Sequence, residues 1–259
     1  MNITRRRLFQ TTAASGLAVL GGVGLGRSAA QSKSAGAKRV LAILGDRAHS
    51  VAPLESGLVE RLRSAGYAAL TVADYSVPWD DFGKYDLIIM SREAHGYALN
   101  YKGPGVNPIT TRQGLWLTPE QDQKFEDYVN AGGRLFLYHD GFGYYVKGGG
   151  VSRTAKAFFI RHPAIVSINV SPTGKMPELT QGITPFTVSD EEYEVEMDES
   201  QTTVFMESHS PEHGRFAQGW AHPYGKGKVA VFIPGHSAPT ISHPMVQRCI
   251  QNIEDWLLK

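Results

Sequence analysis

The sequence predicts an α/β protein with a doubly wound, mostly parallel sheet flanked by helices. In the first half of the chain, continuous apolar runs alternate with a segment of helical spacing, as in parallel strands joined by crossovers. Several of these runs end at glycine, where a parallel strand gives way to a turn. With 259 residues, 42% of them hydrophobic, the chain is long enough to bury a substantial core.

The first elements follow from hydrophobic periodicity. Residues 39–44 are apolar throughout, which indicates a strand buried on both faces. Leucines at helical spacing predict a helix over 53–65 that stops at Gly66. Strands are expected at 67–72 and 86–90, and the connections should be right-handed.

The centre of the chain combines an aperiodic segment with a clear helix start. Residues 94–116 are rich in Gly, Pro, Asn and Tyr, which predicts an irregular surface loop. Thr118 with Gln121 forms a capping-box pattern, so a helix should begin there and end at Gly132. An apolar strand at 134–138 follows.

The second half adds further strands and a closing helix. The glycine-rich residues 225–228 predict a hairpin turn. Strands are expected at 165–170, 203–207, 216–220 and 229–233, and an amphipathic helix at 245–258.

Charge and cysteine content exclude several classes of protein. With 26 Lys and Arg against 25 Asp and Glu, the net charge of +1 gives no field that would attract nucleic acid. The single Cys249 excludes an intramolecular disulfide, a cysteine zinc cluster and a C-x-x-C redox pair. We expect Cys249 to be a small buried residue of the last helix.

The N-terminus predicts export. Residues 1–30 have a basic start, a weakly apolar centre and a small-residue end, which is typical of a removable signal. Arg5, Arg6 and Arg7 followed by Phe9 resemble a twin-arginine signal; an ordinary secretory signal or an uncleaved anchor is the alternative. We therefore expect a periplasmic or secreted protein with no stable membrane span after cleavage. Residues 31–37 would be a linker and 38–259 a single domain.

Histidines mark the expected site. The chain has nine, and His49, His95, His139 and His236 follow predicted strand ends, so they should converge at one edge of the sheet. With the acidic run 190–192 they could hold Zn²⁺ or a similar divalent ion. No H-x-H or H-E-x-x-H signature is present, and substrate binding or structural hydrogen bonding is the alternative.

Other catalytic signatures are missing from the sequence. His139 occupies the strand-to-helix turn where a Ser or Cys nucleophile would stand. Residues 148–150 lack the Lys-Ser/Thr of a phosphate loop, so no nucleotide cofactor is expected. Loop aromatics, among them Tyr144 and Trp220, would suit stacking on a sugar ring, although such residues also serve as local core.

The order of these features resembles the ThuA-like, or trehalose utilisation, family, whose members are similar in fold to class I glutamine amidotransferases but lack the cysteine nucleophile. The resemblance covers nearly all of the chain after the signal. It is carried by Gly45-Asp46 with His49, Tyr138-His139, Phe158-Phe159 with His162, Asp190-Glu191-Glu192-Tyr193, Gly219-Trp220-Ala221, Tyr224 to Val229, Gly235-His236 and Trp256.

The resemblance implies action on trehalose-like disaccharides or their 3-keto derivatives, beside an oxidoreductase that makes the keto sugar. Residues of the expected site fall into three groups. The catalytic candidates are His139, Asp190, Glu191 and Glu192; the substrate-binding candidates are His49, His95, Tyr144, Tyr193, Trp220 and His236; and the candidate metal ligands are His139, His162 and His236.

Two classes of function are therefore expected. The first is an exported enzyme, metal-assisted where a metal is bound, that cleaves or rearranges a keto-sugar glycoside. A 3-keto group acidifies the neighbouring C–H, so one base and an electrophile on the carbonyl suffice for elimination. The alternative is a non-catalytic sugar-binding or partner-binding module. Glutamine hydrolysis is disfavoured because no thiolate stands at the turn.

Overall fold

A nine-stranded mixed sheet organises the protein. The computed structural model describes residues 36–95 and 114–259. The predicted signal at 1–30 and most of the predicted loop at 94–116 lie outside these residues. Residues 37–259 form one compact unit. No helix in the described part of the chain is long and apolar enough to span a bilayer.

One half of the sheet is parallel, as predicted. Its order is β2-β1-β3-β4-β11, so the chain winds outwards in both directions from its first strand. These strands are β1 (Arg39–Leu44), β2 (Ala68–Val72), β3 (Leu87–Ser91), β4 (Arg134–Tyr138) and β11 (Gly227–Phe232). The doubly wound α/β fold class is thus confirmed.

The other half is antiparallel. The strands continue from β11 in the order β10-β9-β6-β7, and the predicted turn at 225–228 joins β10 to β11. They are β6 (Val166–Pro172), β7 (Phe186–Asp190), β9 (Thr203–Ser210) and β10 (Gly214–Tyr224). A separate two-stranded sheet pairs β5 (Ala157–Arg161) with β8 (Glu194–Met197). The strands β5, β7 and β8 were not predicted; each has only four or five residues, although apolar and polar residues alternate in β7 and β8.

Helices cover both faces of the sheet. The predicted helix over 53–65 begins earlier and divides at Val59 into two. The predicted capping box of Thr118 and Gln121 is present. The helices are α1 (Val51–Leu58), α2 (Glu60–Ser64), α3 (Pro119–Asn130), α4 (Gly150–Ala155), α5 (Pro177–Thr180), α6 (Ala238–Ile241) and α7 (Pro244–Leu258).

The core consists of two apolar layers, one on each face of the sheet. Side chains of α1, α2 and α7, such as Leu58 and Ile250, pack on one face. Phe125 of α3 and Val151 of α4 pack on the other. Because β1, β3 and β4 are buried between these layers, their interiors are apolar and polar residues stand only at their ends. The turns that follow β1 and β4 carry histidines and carboxylates at the carboxyl edge of the parallel strands.

Candidate active site

The turn after β4 brings His139 into the centre of this edge. His139 has φ 47°, a left-handed conformation that is strained for a residue with a side chain. The turn lies close against β3, since a Cβ on Gly141 would stand 2.1 Å from the carbonyl oxygen of Met90. The imidazole is fully buried, and its Nδ1 lies 2.7 Å from the carbonyl oxygen of Ile233. Because a carbonyl only accepts, Nδ1 carries the proton and Nε2 faces the site.

His49, in the turn after β1, lies between two carboxylates. Its Nδ1 is 2.9 Å from Asp46 Oδ1 and 2.9 Å from Asp140 Oδ2. Burial lowers the pKa of His49, but these two carboxylates outweigh that effect and raise the pKa to about 10. Burial raises the pKa of Asp140, but its hydrogen bond to His49 and the nearby histidine charges outweigh burial and lower the pKa well below its usual range. Both carboxylates therefore orient the ring and favour its protonated form.

Three imidazole nitrogens face one another. His49 Nε2 is 3.1 Å from His139 Nε2 and 3.2 Å from His236 Nδ1. Each of the three rings offers one nitrogen, and these atoms lie within 4.8 Å of one another, close enough to share a metal ion. We call His49, His139 and His236 the histidine cluster. His49 is buried and His236 is partly exposed, so the cluster is reached from one side.

The acidic run divides into three different roles. Glu191 faces the histidine cluster: its Oε1 is 3.2 Å from His236 Nδ1 and its Oε2 is 3.5 Å from His139 Nε2. Asp190 instead accepts hydrogen bonds from the backbone of Gly235 and His236, at 3.0 and 3.2 Å. It therefore fixes the turn that carries His236.

Glu192 points away from the cluster. Its carboxylate is fully buried and accepts hydrogen bonds from Ser208 at 2.8 Å and Ser210 at 2.6 Å. His213 Nδ1 lies 3.0 Å from the same group. Glu192 thus links residues 190–193 to the β9–β10 hairpin. Its described contacts do not include a residue of the histidine cluster.

Tyr193 and His162 line the cluster on the side of Glu191. The buried Tyr193 hydroxyl donates to Asp140 and lies 3.3 Å from His139 Nε2, and burial raises the pKa of Tyr193 well above its usual value. His162 Nδ1 is 2.9 Å from the carbonyl oxygen of Pro163 and 3.3 Å from Glu191 Oε1. His162 is therefore next to Glu191 but is not one of the three facing nitrogens.

The remaining candidates lie at different depths. His95 and Tyr144 have ring centroids 4.7 Å apart at the edge of the site, and Tyr144 is 36% exposed. Trp220 is fully buried in the layer beside α4, where its indole N–H donates to the carbonyl of Ala155 at 2.9 Å. The position of Trp220 is that of a core residue, because no part of its ring is open to a ligand.

Two residues of the site were not anticipated from the sequence. Asp46 and Asp140 each lie in the turn of a histidine and hold His49. A signal for them exists, since each is an acidic residue two positions after the end of a buried strand and within three positions of a histidine. Cys249, in contrast, is where the sequence predicts: it is buried in α7, and burial raises the pKa of its thiol.

Solved structures of the same fold are similar to this one. A ThuA-like protein from Parabacteroides merdae shares 15% identity at a TM-score of 0.66, over 86% of this chain and 91% of that chain. A cytoplasmic protein from Salmonella typhimurium LT2 shares 15% identity at a TM-score of 0.60, over 85% of this chain and all of its own.

Part of a larger enzyme has the same fold. A β-galactosidase from Rahnella sp. R3 matches 86% of this chain at 13% identity and a TM-score of 0.52, but over only 32% of its own length. At such identities these likenesses show the fold alone.

Sequence comparison identifies the family. No curated protein matches the chain. The family model described as ThuA, trehalose utilisation, matches residues 54–257, which is most of the chain and includes all of the site except the turn of His49. The chain therefore belongs to the ThuA family, which is linked to trehalose utilisation.

Proposed function

We propose that this protein is an exported enzyme that cleaves or rearranges a trehalose-like or 3-keto disaccharide with the help of a divalent cation, Zn²⁺ or a similar ion. The observation that carries the proposal is the histidine cluster. In it, His49 Nε2 lies 3.1 Å from His139 Nε2 and 3.2 Å from His236 Nδ1. The family supports the carbohydrate substrate, and the pattern of residues 1–30 supports export.

The tautomers favour a cation between the rings. His139 donates from Nδ1 to Ile233, and His49 donates from Nδ1 to its carboxylates, so their Nε2 atoms oppose each other as acceptors when the rings are neutral. Either a proton on His49 or a cation relieves this opposition. Nitrogens bound to zinc at about 2.0–2.1 Å in a tetrahedron are about 3.4 Å apart, close to the 3.1 and 3.2 Å that separate His49 Nε2 from the other two nitrogens.

The outer hydrogen bonds are those of ligating histidines. A metal-bound imidazole commonly donates its second N–H to a carboxylate or a backbone carbonyl, which fixes the ring. Asp46 and Asp140 do this for His49, and the carbonyl of Ile233 does it for His139. The proposed ligands are thus His49, His139 and His236, with His162 outside the set because its Nδ1 contacts Pro163 and Glu191.

Glu191 is the proposed base. A bound divalent cation would polarise the oxygen of a sugar carbonyl. Glu191, beside both His139 and His236, can then remove the proton from the carbon next to that carbonyl. The electrons of the broken C–H bond form a double bond to the anomeric carbon, and the bond from that carbon to the glycosidic oxygen breaks. The departing oxygen takes the proton from the Glu191 carboxyl. A sugar oxidoreductase that makes the keto group is the expected neighbouring activity.

Metal content and turnover test this proposal together. The chain without residues 1–30, purified without chelator or a histidine tag, is analysed for metals and incubated with a 3-keto disaccharide. We expect about one equivalent of a divalent metal and release of the leaving sugar. His139→Ala should lose both. His209→Ala, which changes an exposed histidine of β9, is the matched control and should keep both.

Other outcomes would contradict the proposal. Metal-free protein that still turns over the substrate would remove the cation from the mechanism. Tight disaccharide binding without product, in a protein that holds its metal, would favour the non-catalytic sugar-binding module.

A further inference from the structure

A band of polar and aromatic side chains lies beside the histidine cluster and takes no part in the mechanism above. It consists of Arg47, Glu93, His95 and Tyr144, which we call the rim. The rim is continuous with the site through Phe159, whose ring centroid is 4.7 Å from that of Tyr144 and 4.9 Å from that of Tyr193. The rim therefore adjoins the cluster.

Tyr144 is held in an unusual conformation at this place. Its φ is 62°, in the left-handed region that residues with side chains seldom adopt. The ring is fixed on two sides, by His95 and by Phe159, each with its centroid at 4.7 Å, and remains partly exposed. Strained residues are retained where a ligand requires a side chain in one position. The exposed ring of Tyr144 has the form of a stacking platform.

Arg47 and Glu93 place a donor and an acceptor next to each other. Arg47 Nε donates to Glu93 Oε1, and the Glu93 amide donates to Asp46 Oδ2 at 3.2 Å. The Arg47 side chain is 59% exposed, and its two outer nitrogens have no partner among the described residues. Glu93 is buried. Apart from Arg47, the one described side chain within hydrogen-bond range of its carboxylate is His95, whose Nδ1 lies 3.4 Å from Oε2. The pair thus offers the outer N–H groups of Arg47 to a ligand, beside the carboxylate of Glu93 that holds the guanidinium in place.

We propose that the rim binds one ring of a neutral disaccharide, with the C–H face of the ring against Tyr144 and two adjacent hydroxyls on Arg47 and Glu93. Sugar hydroxyls both donate and accept, so they match a neighbouring carboxylate and guanidinium. The charges of Arg47 and Glu93 neutralise each other, so the rim suits an uncharged ring. The second ring would then lie at the histidine cluster. This inference rests on the proposed function for the choice of a sugar, but not on a metal or on turnover.

Calorimetric titration of the protein with trehalose tests the rim. Tyr144→Ala should weaken binding about tenfold or more, while Tyr144→Phe, which keeps the ring, should weaken it less than about threefold. Arg47→Ala should weaken binding about tenfold. Arg215→Ala, which removes another exposed arginine paired with a glutamate, Glu207 of the β9–β10 hairpin, should leave binding unchanged. The metal content of all four variants should equal that of the unmodified protein.

The possible results separate this inference from the proposed function. Trehalose binding that is unchanged in both Tyr144→Ala and Arg47→Ala would overturn the rim as a sugar site. Failure of the unmodified protein to bind trehalose, sucrose and cellobiose at millimolar concentration would overturn it as well. Binding that depends on the rim in a protein without metal supports the rim and contradicts only the metal-assisted reaction. Folding of each variant is checked by its urea unfolding midpoint.

Discussion

Two buried histidines of this protein have pKa values shifted in opposite directions. His49 at the carboxyl edge of the sheet is 6% exposed, and His222 in β10 is 2% exposed. The two carboxylates beside His49 overcome its burial and raise its pKa to about 10. His222 Nε2 instead lies 2.9 Å from the carbonyl oxygen of Thr154, and burial lowers the pKa of His222 to about 4.

The difference shows that burial alone does not set the charge of these rings. Desolvation penalises the imidazolium in both places, and the outcome depends on whether a counter-charge is in contact. Within residues 36–95 and 114–259, no hydrogen-bond partner reaches the buried Nδ1 of His222, so this ring is held as a neutral structural group. His49 is held ready for a positive charge, which either a proton or a cation can supply.

The largest expected effect comes from removing the counter-charges. In the metal-free double variant Asp46→Asn, Asp140→Asn, the pKa of His49 should fall below 6.5, because only burial remains. In the unmodified protein the raised pKa stabilises the fold fully below pH 6.5, and this contribution is lost as the pH rises through about 10. The variant should be less stable at pH 7 by about 3 kcal/mol.

Imidazole NMR titration and urea unfolding measure this change. Glu212→Gln, at an exposed position, is the control and should alter neither quantity. A His49 ring that stays charged at pH 8 in the double variant would show that other groups hold its proton.

An intermediate effect is expected at His222. Because its folded pKa of about 4 lies below the unfolded value of 6.5, its neutral form stabilises the fold above pH 6.5. That contribution is lost as the pH falls towards 4. His222→Gln, which keeps a donor for Thr154, should reduce the stability lost between pH 7 and 4.5 by about 2–3 kcal/mol. Urea unfolding measures the free energy of unfolding at both pH values. If the variant and the unmodified protein lose the same amount between pH 7 and 4.5, the prediction is contradicted.

The smallest effect concerns an ion pair without burial. Lys147 Nζ lies 2.6 Å from Glu196 Oε2, but the two side chains are 59% and 60% exposed. A double-mutant cycle with Lys147→Ala and Glu196→Ala should give a coupling of less than about 1 kcal/mol that weakens with salt. A coupling as large as the effect at His49 would show that water screens these charges less than exposure implies.

Much of the site could be predicted because topology places strand ends together. His49, His139 and His236 follow parallel strands, and the rule that such ends share one edge was sufficient to group them. The doubly wound half of the sheet was predictable from buried apolar runs for the same reason.

The direction of individual side chains could not be predicted. Residues 191–193 lie between strands β7 and β8, where neither the helical nor the strand period applies, so Glu191 and Glu192 were equivalent in sequence. The structure turns one to the histidines and the other to Ser208 and Ser210. Trp220 was similarly ambiguous, since an aromatic residue near a turn suits both a ligand site and a core.

The histidine cluster also has a consequence for how the protein folds. His49 and His236 are 187 positions apart in the chain, and His139 is 90 positions from His49. Closing contacts of such high sequence separation costs chain entropy, so we expect the cluster to form late in folding. An ion that binds there would select completely folded molecules, and its occupancy would report the fraction of the chain population that has reached the native state.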